Sequence, residues 1–370
     1  MIYLDYAASA PPFPEAARRM QDVMLSAFGN PGAIHRAGGQ ARKILNESRK
    51  TMAKALGVQD REVFFTSGGT EANNWAVKLG CRLGKGKEIL VFAAEHKSVL
   101  EPAYHMEKQG FRVKLLQPQS NGLLLPETLE AALGPDTAMV CVQAVNNETG
   151  VIQDIEAIAR LTKKHRVPFL CDAVQSFGHL DLPLHLADFV TLSGHKFGGP
   201  RGIGCLVARY PYVPGAMIHG GGQELGLRSG TENLPAIAAM AMAAELSQQT
   251  KPDTGALSSL LLKGLRELEP QLILNGEGAP RHPGILNLYF PGISAEELAV
   301  RLDLMGICVS PGAACGARDP KPSHVLLAMG CSEPHARGSL RFSLGRNTTE
   351  EEIRLTLSAL EEILRHRKEP

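Results

Sequence analysis

The sequence predicts an α/β fold built on a mostly parallel sheet. Seven short apolar runs rich in β-branched residues recur between residues 63 and 208, and longer amphipathic segments lie between several of them. Strands separated by helices give a parallel sheet covered on both faces. Length is the third observation. At 370 residues the chain exceeds what a single core supports, so two domains are expected.

The strand candidates, in order, are VFFT (63–66), EILVFA (88–93), RVKLL (112–116), AMVCVQ (138–143), VPFLCD (167–172), FVTLS (189–193) and GCLVA (204–208). Helical patterns cover 37–56, 70–83, 97–109, 126–133, 153–165 and 234–249. After the last of these, SQQTKPDTG interrupts the pattern with polar residues, Pro and Gly, a domain boundary. Residues 13–250 are expected to form the large domain. Residues 251–370, with 1–12, are expected to form a smaller α+β domain. IYLDY near the start is a lone strand able to join either.

Composition excludes several function classes. The 39 basic and 38 acidic residues nearly balance, and the basic ones are scattered, so no nucleic-acid partner is expected. No apolar run reaches the roughly 18 residues of a membrane span. The start, MIYLDYAASAPP, lacks the basic and apolar regions of a secretory signal, which predicts a cytoplasmic protein. The seven cysteines (81, 141, 171, 205, 308, 315, 331) form an odd set without a CxxC pair. Neither a zinc site nor a disulfide framework is expected, and the thiols should be reduced. Cys141, Cys171 and Cys205 sit in apolar strand runs as small core residues.

In open parallel sheets, ligands bind beyond the carboxyl ends of the strands. Here those ends are followed by SGGTEANN, AEHKS, AVNNETG, DAVQS and GHK. Ser67-Gly68-Gly69-Thr70 leads from a strand into a helix, either as a plain N-cap or as a cradle for an anion. No Walker lysine or GxGxxG follows, which disfavours a nucleotide. Asp172 ends an apolar strand, where its carboxylate needs a cation; a structural Arg or a protonated pyridine nitrogen would serve. His96 is either a core histidine or a ring that stacks on a planar ligand. Asn147 and Gln175 are ordinary turn residues or partners for a phenolic oxygen. Lys196 stands among small residues in VTLSGHKFGGPRGIG, as a solvated lysine or as a nucleophilic amine with room for a bound group. A pyridoxal enzyme needs a phosphate cradle, a ring stacker, an acid and a reactive lysine, and one rim of this sheet offers all four.

Motifs along nearly the whole chain carry a family resemblance: YLDYAA, FTSGGTEANN, EHKSVLEP, NNETGVIQD, DAVQSFG, SGHKFGGPRGIG, GGGQELGLRSGTEN, GAAC, PSHVLLAMG and LRFSLGRNTTEEEI. In this order they resemble the cysteine desulfurases of the NifS/IscS type, within the aspartate-aminotransferase-like, fold type I, pyridoxal phosphate enzymes. That resemblance implies a seven-stranded, mostly parallel sheet between helices in the large domain. It implies pyridoxal 5′-phosphate as cofactor, L-cysteine as substrate and no metal. Lys196 would be the Schiff-base lysine and His96 the ring stacker. Asp172 would pair with the pyridine nitrogen, and Gln175 with the ring oxygen. Gly69, Thr70, Ser193 and His195 would hold the phosphate. Thr231 would reach the phosphate of a partner subunit, which implies a homodimer. Arg341 would clamp the substrate carboxylate with Asn147 assisting. The chain departs from relatives at Tyr6, Ser9 and Ala10, where Asn and a Thr pair are common, at Gly32 and Ala33, and in its thiol segment SPGAACGARDPKP.

Cys315 lies in that segment, among Pro311, Gly312, Gly316, Pro320 and Pro322, a composition that predicts an irregular exposed loop. An exposed thiol carries an oxidation hazard, so its presence suggests use. The resemblance makes Cys315 the nucleophile that takes sulfur from cysteine as a persulfide, leaving L-alanine. The sulfur would pass to an acceptor such as an iron–sulfur scaffold protein. Two other readings remain open on sequence: a selenocysteine lyase of the same fold, and a docking scaffold whose catalysis is secondary.

Overall fold

The structure is a computed structural model that describes residues 1–250, 253–312 and 321–368. Along the chain, β1 (Ile2–Tyr3) precedes helices α1 (Pro14–Ser26) and α2 (Arg36–Leu56). The next elements are β2 (Val63–Thr66), α3 (Gly69–Trp75), β3 (Glu88–Phe92), α4 (Lys97–Glu107), β4 (Arg112–Leu116), α5 (Pro126–Ala132), β5 (Thr137–Cys141), α6 (Ile155–His165), β6 (Phe169–Asp172), β7 (Phe189–Ser193) and β8 (Gly204–Ala208). Then come α7 (Leu234–Gln249), α8 (Gly255–Leu268), β9 (Ile273–Leu274), β10 (Ile285–Tyr289), α9 (Ala295–Leu304), β11 (Ile307–Cys308), α10 (His324–Ala328), α11 (Glu333–Arg337), β12 (Ser339–Ser343) and α12 (Glu350–Lys368).

All seven strand runs form, and they make one sheet in the order β2-β8-β7-β6-β5-β3-β4. The pairings are parallel except those of β8, which runs against both β7 and β2. The carboxyl ends of β2, β3, β5, β6 and β7 therefore share one rim with the start of β8, where Gly204 pairs with both Thr66 and Ser193. A side chain at Gly204 would come within 2.5 Å of the Leu192 carbonyl and 2.6 Å of Gly68, so glycine lets the loop after β2 close over the rim. Inner strands such as β5 and β7 are buried throughout, as their continuous apolar runs require. β4 is an edge strand and exposes Arg112 and Lys114, charges that oppose further strand pairing.

One apolar cluster joins the outer face of the sheet to α1, α2 and α7; a second packs α3 and α4 on the other face. α7 is apolar all round (PAIAAMAMAA) because α1 and α2 cover it. A third cluster unites β9, β10 and β12 with α8, α9 and α12. Val325, Leu326, Met329 and Ala336, on α10 and α11 or beside them, belong instead to the first cluster. The lone N-terminal strand joins the C-terminal part: β1 pairs with β11, and Asp5 bridges to Ser343. The helix expected over 70–83 is shorter. α3 ends at Trp75 and gives way to a π-helical turn, Ala76–Gly80, then a 3-10 turn, Cys81–Leu83. Packing decides this: any side chain at Gly80 would lie 3.1 Å from the Phe189 ring, so the turn sits directly on the sheet.

Candidate active site

Beyond the shared rim lies a cavity of about 240 Å³. Ten residues singled out from sequence line it: Gly69, Thr70, His96, Asn147, Asp172, Gln175, Ser193, His195, Lys196 and Arg341. The strand ends deliver most of them. Asp172 is the last residue of β6 and Ser193 the last of β7, and Lys196 closes the 3-10 turn that follows β7. His96 caps α4, its Nδ1 accepting from the Ser98 N–H at 3.1 Å.

Asp172 is buried, and its two oxygens are separately held. Oδ1 accepts from the Val174 N–H and Oδ2 from Asn73 Nδ2, each at 2.8–2.9 Å. Asn73 in turn donates to Ser98 Oγ at 2.8 Å and accepts from Thr191 Oγ1 at 2.6 Å. This network orients the carboxylate at the cavity. Burial and the nearby Lys196 lower the His96 pKa against the pull of Asp172. Burial, Lys196 and Arg201 push His195 down to about 4. Both imidazoles are therefore neutral near pH 7. Because Nδ1 of His96 accepts a hydrogen bond, its proton sits on Nε2.

The N-terminal segment completes the wall. The Ala7 carbonyl accepts from Lys196 Nζ at 2.6 Å and from Gln175 Nε2 at 2.7 Å. Ala7 is itself fixed by its N–H to Ser343 Oγ on β12, 2.9 Å away. Arg341, also on β12, is buried. Its two terminal nitrogens donate to the Asn147 carbonyl and to Asp5 Oδ1, each at 2.8 Å, while Nε is buried without a protein partner among the described residues. Arg341 thus borders the cavity as a buried guanidinium with one N–H unpaired among the described residues.

Two further residues were predicted for the site. Thr231 is exposed, on the 220–233 segment. Two ion pairs pin that segment: Arg228 to Glu71 at 2.8 Å, and Arg49 to a buried Glu224 at 2.6 Å. Cys315 lies outside the described residues. On either side of it, Ser323 Oγ donates to Glu148 Oε2, and a side chain at Gly312 would sit 3.7 Å from the same oxygen. The flanks of the thiol segment thus meet at Glu148, beside Asn147. Sequence reading missed Asn73, Ser98, Gln143 and Ala7 as site residues. Asn73 and Ser98 each stood within a quoted motif, but nothing local marks Asn73 as a partner of Asp172, 99 positions on, or Ser98 as a partner of Asn73.

Among the described residues, no helix is long and apolar enough to cross a membrane, and no cluster of His, Cys, Asp and Glu could hold a metal. The sequence profile of the aminotransferase class-V family matches residues 2–355. A cysteine desulfurase IscS of Dictyoglomus turgidum is 38% identical over 371 residues, covering 98% of this chain and 94% of its own length. A solved structure titled NIFS-LIKE PROTEIN superposes with a TM-score of 0.91 at 34% identity, covering 99% of each chain. Another, titled "SspA in complex with cysteine", gives 0.83 at 33% identity, covering 94% of this chain and 100% of its own.

Proposed function

We propose that this chain, which belongs to the aminotransferase class-V family, is a cysteine desulfurase that works with pyridoxal 5′-phosphate and collects sulfur on Cys315. One observation carries the reading: Lys196, Asp172, His96 and the hydroxyl-bearing Thr70 and Ser193 converge on one cavity beside Arg341.

The donor set fits the cofactor. Thr70, Ser193, His195 and the main-chain N–H groups of Gly69 and Thr70, unpaired within the first turn of α3, would hold a phosphate. Asp172, oriented by its hydrogen bond from Asn73, would hold a protonated pyridine nitrogen, Gln175 the ring oxygen and His96 a ring face. Lys196 would hold the aldehyde carbon. When bound, pyridoxal phosphate supplies an electron sink for the α-carbon of an amino acid.

The chain's own groups do the rest. Arg341 binds the substrate carboxylate, and Asn147 borders the same place. Lys196 Nζ, held near the Ala7 carbonyl, takes the α-proton, and neutral His96 can carry a proton at Nε2. Thiolate at Cys315 attacks the substrate sulfur. An S–S bond forms as the C–S bond breaks, so cysteine and one protein thiol become L-alanine and a persulfide. Sulfur then passes to an acceptor protein such as an iron–sulfur scaffold. Thr231, exposed on its pinned segment, would reach the phosphate site of a second copy, making the working unit a cytoplasmic homodimer. The same reading takes residues 13–250 as the cofactor-binding domain and 251–370 with 1–12 as the domain bearing Cys315.

Mass spectrometry after incubation with L-cysteine tests this. Wild-type protein should release alanine and carry one extra sulfur on the GAAC peptide, removable by reductant. Cys315→Ala should still take up pyridoxal phosphate, and borohydride should fix it to Lys196, yet alanine release should fall by several orders of magnitude. Alanine release by Cys315→Ala at the wild-type rate would overturn the mechanism, and labelling at another lysine would overturn the site.

A further inference from the structure

Behind Lys196 lie two imidazoles that the reaction above does not use, His282 buried and His179 half-buried. His179 Nε2 is 3.0 Å from the Lys196 carbonyl oxygen. Its ring meets that of His282 edge to face, with centroids 5.3 Å apart and planes at 68°. We propose that His179 is a positioning residue for Lys196, and that the His179–His282 pair holds the lysine in register with β12, which carries Arg341, and with the turn that carries Asn147. The proposal rests on Lys196 being the reactive lysine.

The local chemistry fixes the direction of the bond. A carbonyl oxygen only accepts, so His179 must carry its proton on Nε2. The Lys196 carbonyl lies at the end of a single 3-10 turn, Gly194–Lys196, where helical bonding stops, and the side chain of His179 supplies its donor. Three contacts dock the turn after β6 onto this backbone. Phe177 packs edge-on against Phe197 with centroids 4.9 Å apart, and His179 bonds Lys196. Gly178, at φ +81°, lies so close that a side chain would stand 2.8 Å from Phe197 Cβ and 2.7 Å from Ser247 Oγ. The same turn bears Gln175 and continues directly from Asp172 at the end of β6, so one short segment sets the acid and the amide and docks the lysine.

His282 extends the connection. Its N–H donates to the Gly150 carbonyl at 2.8 Å, next to the 146–149 turn that contains Asn147. Its Nδ1 accepts from the Gly284 N–H at 3.0 Å, and the Gly284 carbonyl accepts from Leu344, one residue beyond β12. A path of packed groups therefore runs from the Lys196 main chain to both substrate-facing residues. The charged and titratable groups around His179 are Lys196, Arg346 and His282. Burial, with the two cations, lowers the His179 pKa and keeps the pair neutral, as a donor–acceptor role demands.

Imidazole 15N NMR of the full-length protein reads the tautomer directly, and should show neutral His179 protonated at Nε2, with or without cofactor. His179→Phe keeps a ring of similar shape and removes the donor; His179→Gln keeps a donor. With pyridoxal phosphate loaded, the Phe variant should shift the pH midpoint of the visible absorption band by about half a unit or more. It should also lower kcat for alanine release about tenfold with KM for cysteine within twofold, because the lysine is misplaced rather than removed. His179→Gln should recover most of both. A Phe variant with wild-type midpoint and kcat, a Gln variant as impaired as Phe, or a His179 proton on Nδ1 would each overturn the proposal. If the Phe variant does not fold, the NMR tautomer and the Gln variant decide. Absence of any visible band in the loaded wild type would instead refute the lysine's assigned role, while the tautomer still tests the contact.

Discussion

Asn73 joins Asp172, Ser98 and Thr191 by three side-chain hydrogen bonds of 2.6–2.8 Å and is 1% exposed, so Asn73→Ala tests the network that holds Asp172. Truncation strips a donor from an ionised carboxylate, worth roughly 1.5–3 kcal/mol, and leaves the buried Thr191 hydroxyl unpaired, costing roughly 1–3 kcal/mol. Ser98 keeps its contact with His96 Nδ1 and adds little. Since Asn73 borders the cavity, water can replace part of what is lost, which places the net cost near the lower end, about 3 kcal/mol. Urea unfolding of full-length protein should show a lower midpoint with an unchanged slope, and a folded-to-unfolded ratio reduced more than a hundredfold. Asn73→Asp sets a second carboxylate beside Asp172 and should be worse at pH 7, recovering as acid protonates one of the two. An Asn73→Ala midpoint within about 0.5 kcal/mol of wild type would refute the argument, because it would mean Asp172 is held by other groups.

Arg49→Met should cost about 3–5 kcal/mol, since it leaves Glu224, whose side chain is 2% exposed, without its cation; a double change with Glu224→Gln should recover much of that loss in the same unfolding assay. Glu95 is fully buried, and burial, with Asp172 nearby, raises its pKa well above the ordinary 4.5. The folded state therefore keeps a proton that the unfolded chain releases, so stability from this group is complete below pH 4.5 and declines as pH rises toward the folded pKa. Glu95→Gln, which mimics the protonated acid, should match wild type at pH 4 and become increasingly more stable than it toward neutral pH. A constant difference across that range would disprove the sign.

Much of the scaffold was legible in the chain's local chemistry. The inner strands are buried on both faces, so their continuous Val, Ile, Leu and Phe runs announced them, and α7 was readable over 234–249 from its unbroken apolar stretch. The rule that ligands sit beyond parallel strand ends was enough to collect His96, Asp172 and Lys196, because each lies within four residues of a strand, while Ser193 came from the family resemblance. The π-helical turn after Trp75 was not legible, since close contact of Gly80 with Phe189 decides it and the periodicity does not. The wall of the site was hidden for the same reason. Ala7 offers only a backbone carbonyl, Asn73 reads as one of two amides in TEANN, and nothing local to Arg341 announces its contact with Asp5, 336 residues away. Sequence alone thus determined which residue types stand at the strand ends that border the cavity. Tertiary structure decided what holds them, because an unpaired N–H or carbonyl finds its partner by proximity in space, whatever the separation along the chain.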